Sequence, residues 1–137
     1  GTDYETQIEY ITIGTTGNTT DFGDATVTAY ARGAVASPTR AVFAGDFYVP
    51  ANIMDYVTIA STGDATDFGD LSGNRAMLTG VSSKTRGVYG GGRSSNTNYG
   101  LDIMEYITIG STGNTTDFGD LTQARESPAG MCVFQGE

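Results

Sequence analysis

The phrase MEYITIGSTGNTTDFGD, residues 104–120, decides how the chain is read, because it occurs two more times with small changes. IEYITIGTTGNTTDFGD occupies residues 8–24 and MDYVTIASTGDATDFGD residues 54–70, and Tyr10, Tyr56 and Tyr106 mark the common register. The first two copies lie 46 residues apart and the next two 50 apart; the additional four residues fall in SSNTNYG, residues 94–100, which reads as a lengthened surface loop. Between the phrases, AVASPTRAVFAG (34–45) aligns without gaps on GVSSKTRGVYGG (80–91), and the third copy runs out in GMCVFQGE (130–137). Self-similarity at such a period is the mark of a repeat architecture. The whole chain, 1–137, is therefore one array, with repeat 1 at about 4–50, repeat 2 at about 51–100 and an incomplete repeat 3 at about 101–137.

Each repeat reads as four short strands. In the second, residues 56–59 are β-branched and aromatic, further strands are expected at 66–71, 79–82 and 86–89 and a tight turn at 61–64, and the glycines at 90–92 end the unit. No stretch sustains a 3.6-residue apolar period. Hydrophobic residues make up 38% and charged residues 17%, below the usual ~45–50% and ~25%, while 20 glycines fill the difference, as a chain of short strands and many turns requires. The expected fold is all-β: a β-propeller-like array of about three four-stranded blades, with a linear β-solenoid or fibre of the same repeats as the alternative. Because closed propellers need ~4–8 blades, three repeats are expected to form a homo-oligomer, a filament or part of a longer array. A chain that opens at Gly1 rather than Met is expected to be a processed product or a piece of something longer.

Charge and composition exclude several functions. Sixteen acidic residues against seven basic ones leave a net charge of −9, which repels nucleic-acid backbones and anionic lipid. The chain has no His, no Trp and one Cys, so His-based acid-base chemistry, His/Cys metal sites and an internal disulfide framework are closed to it. No 18-residue apolar span for membrane insertion and no signal peptide stands out. The chain is expected to be no enzyme and to carry no cofactor.

The residues that invite a functional reading are few. Asp21/Asp24, Asp67/Asp70 and Asp117/Asp120 recur as pairs that could hold Ca²⁺, or each could cap a turn through its own backbone. Arg40 and Arg86 precede the apolar strand, and Arg75 and Arg125 follow the DFGD segment; ion pairs between strands or repeats are expected of them. Aromatics that follow the repeat, such as Tyr56, Phe68, Tyr89 and Phe134, read as core. Tyr30, Phe47, Tyr48 and Tyr99 lie off the repeat, and with Asn96 and Asn98 they form a candidate ligand-binding surface for a cell-surface glycan. Asn18 and Asn114 stand in Asn-Thr-Thr, a formal glycosylation sequence at a turn position. Cys132 aligns with Ser82 and is expected to be a buried thiol.

GVYGGG (87–92), the tyrosine strand that follows it and the Arg after DFGDL together resemble kelch repeats, with Phe22, Phe68 and Phe118 where that pattern carries Trp. The longer phrase, a tyrosine strand, TIxSTGNxTDFGDL, an Arg and TRGVYGGG, resembles repeat proteins of phages that infect cyanobacteria. That resemblance implies a virion structural or tail-fibre component, located in the virion or outside the cell. It assembles through its repeats, and host attachment by glycan or receptor binding is the alternative role. The copper site of kelch-type oxidases has no His to draw on here.

Overall fold

The computed structural model describes residues 5–48 and 51–132, which form twelve β-strands and no helix. Among them no helix is long and apolar enough to cross a membrane. Strands β1 (Gln7–Tyr10) and β2 (Thr20–Asp24) make an isolated hairpin. Strands β3 (Gly33–Ala36), β4 (Arg40–Ala44), β5 (Ile53–Thr58) and β6 (Thr66–Asp70) follow as an antiparallel meander. Short β7 (Arg75–Ala76) leads into β8 (Thr79–Ser82) and β9 (Arg86–Gly90); β10 (Arg93–Ser94), β11 (Leu101–Thr108) and β12 (Thr116–Arg125) complete the chain. A second meander runs β8-β9-β11-β12, and β7 pairs with β10. The protein is thus all-β, in four small antiparallel sheets.

The sheets are out of phase with the sequence unit by half a period. Each meander takes two strands from the second half of one repeat and two from the first half of the next, so the divisions near 50 and 100 fall inside sheets. Residues that are successive in β5, Met54 and Asp55, are both buried, since the meander is covered on both faces.

The two meanders meet along their first strands, β3 lying against β8 and β9. Gly80 and Gly87 make that approach possible: a Cβ at Gly80 would run into the Ala34 carbonyl, and one at Gly87 into the Val35 side chain. Equivalent positions in successive repeats are linked in series. Met77 N–H donates to the Ala31 carbonyl (2.8 Å) and Ser127 N–H to the Met77 carbonyl (2.9 Å), and all three residues hold left-handed backbone at φ 61°, 55° and 50°. Ala36 N–H donates to Ser82 Oγ (3.3 Å), and Ser82 N–H in turn meets Cys132 Sγ (2.8 Å), at sequence separations of 46 and 50. Cys132 is half-buried rather than fully buried and continues this line.

The apolar core lies between the meanders, with Val42, Met54, Phe68 and Tyr89 fully enclosed. Each such side chain contributes about 1.5–3 kcal/mol on burial. Tyr89 crosses from one sheet to the other and donates its hydroxyl to the Val42 carbonyl at 2.9 Å. Burial pushes its phenol well above the ordinary tyrosine value; Arg32 opposes this and Asp55 adds to it. The folded chain therefore keeps Tyr89 protonated where the unfolded chain ionises it. Stability from this group is complete below about pH 10 and falls by about 1.4 kcal/mol per pH unit above it. Urea titrations between pH 9 and 12 should show this slope, and Tyr89→Phe should flatten it while costing about 1 kcal/mol at neutral pH.

Candidate functional site

The most elaborate chemistry in the molecule sits at the junction between one repeat and the next. Glu9, Asp55 and Glu105 precede the register tyrosine in each copy, and at each the pairing with the DFGD strand slips through a bulge, between Ile8/Glu9, Met54/Asp55 and Met104/Glu105. Opposite stand Gly23, Gly69 and Gly119, at φ 145°, 139° and 132°, which a residue with a side chain rarely adopts. At the second and third copies the carboxylate reaches the preceding repeat. Asp55 accepts from Thr26 N–H (2.9 Å) and Thr26 Oγ1 (2.8 Å) and pairs with Arg32 at 2.7 Å. Glu105 accepts from Ser72 N–H (3.0 Å) and Thr115 Oγ1 (3.1 Å) and forms a short buried ion pair with Arg75.

Arg75 also donates to the Gly91 and Ile103 carbonyls, at 3.1 and 3.2 Å. Its burial lowers the guanidinium pKa, against the pull of Glu105, so the carboxylate and these carbonyls together keep the charge tolerable. Repeat 1 has Ala29 where Arg75 and Arg125 stand, and Arg32, three residues later, takes over the pairing. In repeat 3 no following acid is at hand among the described residues, and Arg125 Nε donates to the Gln123 carbonyl instead.

A second clasp joins the same repeats at their outer edge. The turn at 61–64 reaches the preceding DFGD strand: Gly63 N–H donates to the Phe22 carbonyl (2.7 Å), Ala65 N–H to the Asp24 carbonyl (2.7 Å), and Asp64 Oδ1 accepts from Asp24 N–H (3.0 Å). The next junction repeats every bond, with Gly113 on Phe68, Thr115 on Asp70 and Asn114 Oδ1 on Asp70 N–H, at 2.7, 2.9 and 3.0 Å. Gly23 and Gly69 admit the incoming turn, since a Cβ on either would strike the backbone of Gly63 or Gly113. Asn114 is thus a hydrogen-bond acceptor across the junction, and Asn18, its counterpart, is exposed at the start of the array.

Among the described residues no group of three or more His, Cys, Asp or Glu able to hold a metal forms, at Asp21, Asp24, Asp67, Asp70, Asp117 and Asp120 or elsewhere. Nor does Asp24 cap a turn by its side chain. Its Oδ1 accepts from Thr6 Oγ1 at 2.9 Å, and Asp21 Oδ1 meets Gln7 Nε2 at 3.5 Å. Arg40 and Arg86 form no ion pairs among the described residues. Each lies 4.4 Å over a register tyrosine, Tyr56 and Tyr106, whose rings in turn meet Phe68 and Phe118 edge-on. Phe134 lies outside the described residues.

Away from the junctions, Tyr30, Phe47 and Tyr48 form a chain of edge-to-face contacts at 6.2 and 5.6 Å between ring centroids, with Arg93 5.6 Å from Phe47. Tyr30 and Tyr48 are exposed. The loop 94–100 is moored beside them, Ser95 Oγ donating to the Asp46 carbonyl (3.1 Å), while Asp46 Oδ1 accepts from Tyr30 N–H (2.9 Å). Asn96, Asn98 and Tyr99 are exposed on that loop, with Asn98 at φ 60°.

Sequence reasoning passed over Asp55, Glu105, Arg32 and Asp64. The acid before each register tyrosine was a legible signal, since a carboxylate stands between an apolar residue and the tyrosine in all three copies. Compared with known proteins, the chain matches no family model and no curated protein.

Truncating one partner of the buried pair leaves the other charge stranded. Glu105→Ala should cost about 3–5 kcal/mol in chemical unfolding, and the double variant Arg75→Met/Glu105→Leu should recover most of that loss.

Proposed function

We propose that this chain is a non-enzymatic structural repeat protein, a segment of a propeller-like array of the virion or tail-fibre kind, whose work is to assemble with more of its own repeats. The observation that carries the reading is the recurrence of the junction. The carboxylate, the arginine, the bulge glycine and the turn clasp return at each step between repeats, so the polar chemistry of the interior is spent on holding neighbours. A propeller-like arrangement is favoured over a linear solenoid because each meander is its own sheet and successive meanders meet along their first strands, whereas solenoid repeats would pair into continuous sheets. The kelch-like and phage-repeat resemblance of the phrase agrees with a virion or extracellular setting. Light scattering on the purified chain at micromolar concentration should give a mass of two or more copies, and negative-stain micrographs should show discs or fibres. A monodisperse monomer would overturn the proposal.

A second reading, attachment to a cell-surface glycan, is favoured by the exposed cluster of Tyr30, Phe47 and Tyr48 beside the loop 94–100. Aromatic faces and amides at an exposed surface suit the apolar faces and hydroxyls of sugars. Titration with neutral oligosaccharides should then perturb the Tyr30 and Tyr48 resonances, and Tyr48→Ala should weaken binding at least tenfold. No binding by the parent protein would remove this reading.

A further inference from the structure

The junction is made twice inside the chain, and its two halves stand open at the two ends of the array. At the C-terminal end the DFGD strand is bare: Phe118 is 48% exposed where Phe68, covered by the next repeat, is 1% exposed. A Cβ at Gly119 would meet nothing within 4 Å, although its φ of 132° is close to the 145° and 139° of Gly23 and Gly69, which receive a turn. Arg125 is set for its acid, because its carbonyl accepts from Gly92 N–H at 3.0 Å, as the Arg75 carbonyl accepts from Asp46 N–H at 3.1 Å.

At the N-terminal end the complementary half is equally uncovered. Ile11 is 59% exposed, against 6% and 3% for its counterparts Val57 and Ile107. The Asn18 side chain has no partner among the described residues, whereas its counterparts Asp64 and Asn114 each accept from the preceding repeat. Glu9 accepts from Thr19 Oγ1 at 3.1 Å, the same bond that Glu105 makes with Thr115, so its carboxylate is already aimed as the buried one is.

We propose that a second copy of this chain docks head to tail through these two surfaces, reproducing the internal junction. Gly17 N–H donates to the Phe118 carbonyl, Thr19 N–H donates to the Asp120 carbonyl, and Asn18 Oδ1 accepts from Asp120 N–H. The Glu9 carboxylate pairs with Arg125 and accepts from Thr122 N–H. Both ends must take part, and each copy offers a different one, so the contact is heterologous and propagates until it closes as a ring or extends as a fibre. Gly130 and Cys132 already lie against β8 much as β8 lies against β3, so the neighbour's β1-β2 hairpin would supply the outer half of the next sheet. This inference rests on the self-assembly reading and names its surface.

Sedimentation equilibrium of the full chain at micromolar concentration tests it. Glu9→Arg and Arg125→Glu should each weaken association at least tenfold while circular dichroism and thermal unfolding show the fold intact, both residues being exposed. The charge-swapped double variant should restore assembly. Asn18→Ala should weaken association up to about tenfold, the worth of one hydrogen bond, and Asn18→Asp should not, since Asp64 fills that role at the first junction. Assembly that persists unchanged in all of these variants would overturn this interface and leave the self-assembly reading standing. A monomeric parent would overturn both. Loss in both charge reversals without recovery in the double variant would overturn the Glu9–Arg125 pairing.

Discussion

The structure depends on a carboxylate brought into a dry junction. Asp55 and Glu105 lie in strands that are covered on both faces, where an unpaired charge would cost several kcal/mol. Much of the phrase can be understood as meeting that cost. A glycine opposite the residue before the acid marks the bulge in the pairing. A backbone N–H two residues past the DFGD segment fills one set of lone pairs, and an arginine from the same preceding repeat fills another. An apolar contact could hold two sheets together with similar strength. It would not dictate which residue meets which, whereas a carboxylate that must find three donors accepts one register.

The small apolar fraction then has a physical sense. A hairpin or meander of five-residue strands cannot enclose a core of its own, and here enclosure comes from the neighbouring repeat: Phe68 is shut in by the turn and strand that follow it, Tyr89 by the meander that precedes it. Backbone bonds between equal positions, Ala31 to Met77 to Ser127, run along the array and tie each unit to the next without any side chain. Such a molecule is held by nearest-neighbour contacts, so its stability is a property of the array. That is also why its two ends differ so sharply in exposure from the equivalent positions inside.

The strands, their turns and the absence of helix were legible from the repeated phrase, because β-branched and aromatic runs bounded by Gly and Asn leave few alternatives. The pairing of those strands was not. A period in sequence says that units recur and does not say where a sheet begins, and the sheets in fact straddle the units. The aspartates of DFGD drew attention as a pair, yet their side chains stay near the surface and make local bonds to Thr6 and Gln7, while the backbone they carry does the joining. Arg40 and Arg86 looked like salt-bridge donors and instead cover tyrosine rings.

By itself the sequence determined the all-β class, the length of the repeat, the tight turn at 61–64 and the exclusion of His-based chemistry, because these follow from composition and local periodicity. Only the tertiary structure decided that Arg32 stands in for the arginine missing at Ala29, that Asp64 and Asn114 clasp the preceding repeat, and that the acids before Tyr56 and Tyr106 are buried while Glu9 before Tyr10 is exposed. These are relations between residues far apart in the chain, Arg75 and Glu105 by 30 positions and Asn114 and Asp70 by 44. They depend on how two sheets face each other, and no local pattern carries that distance.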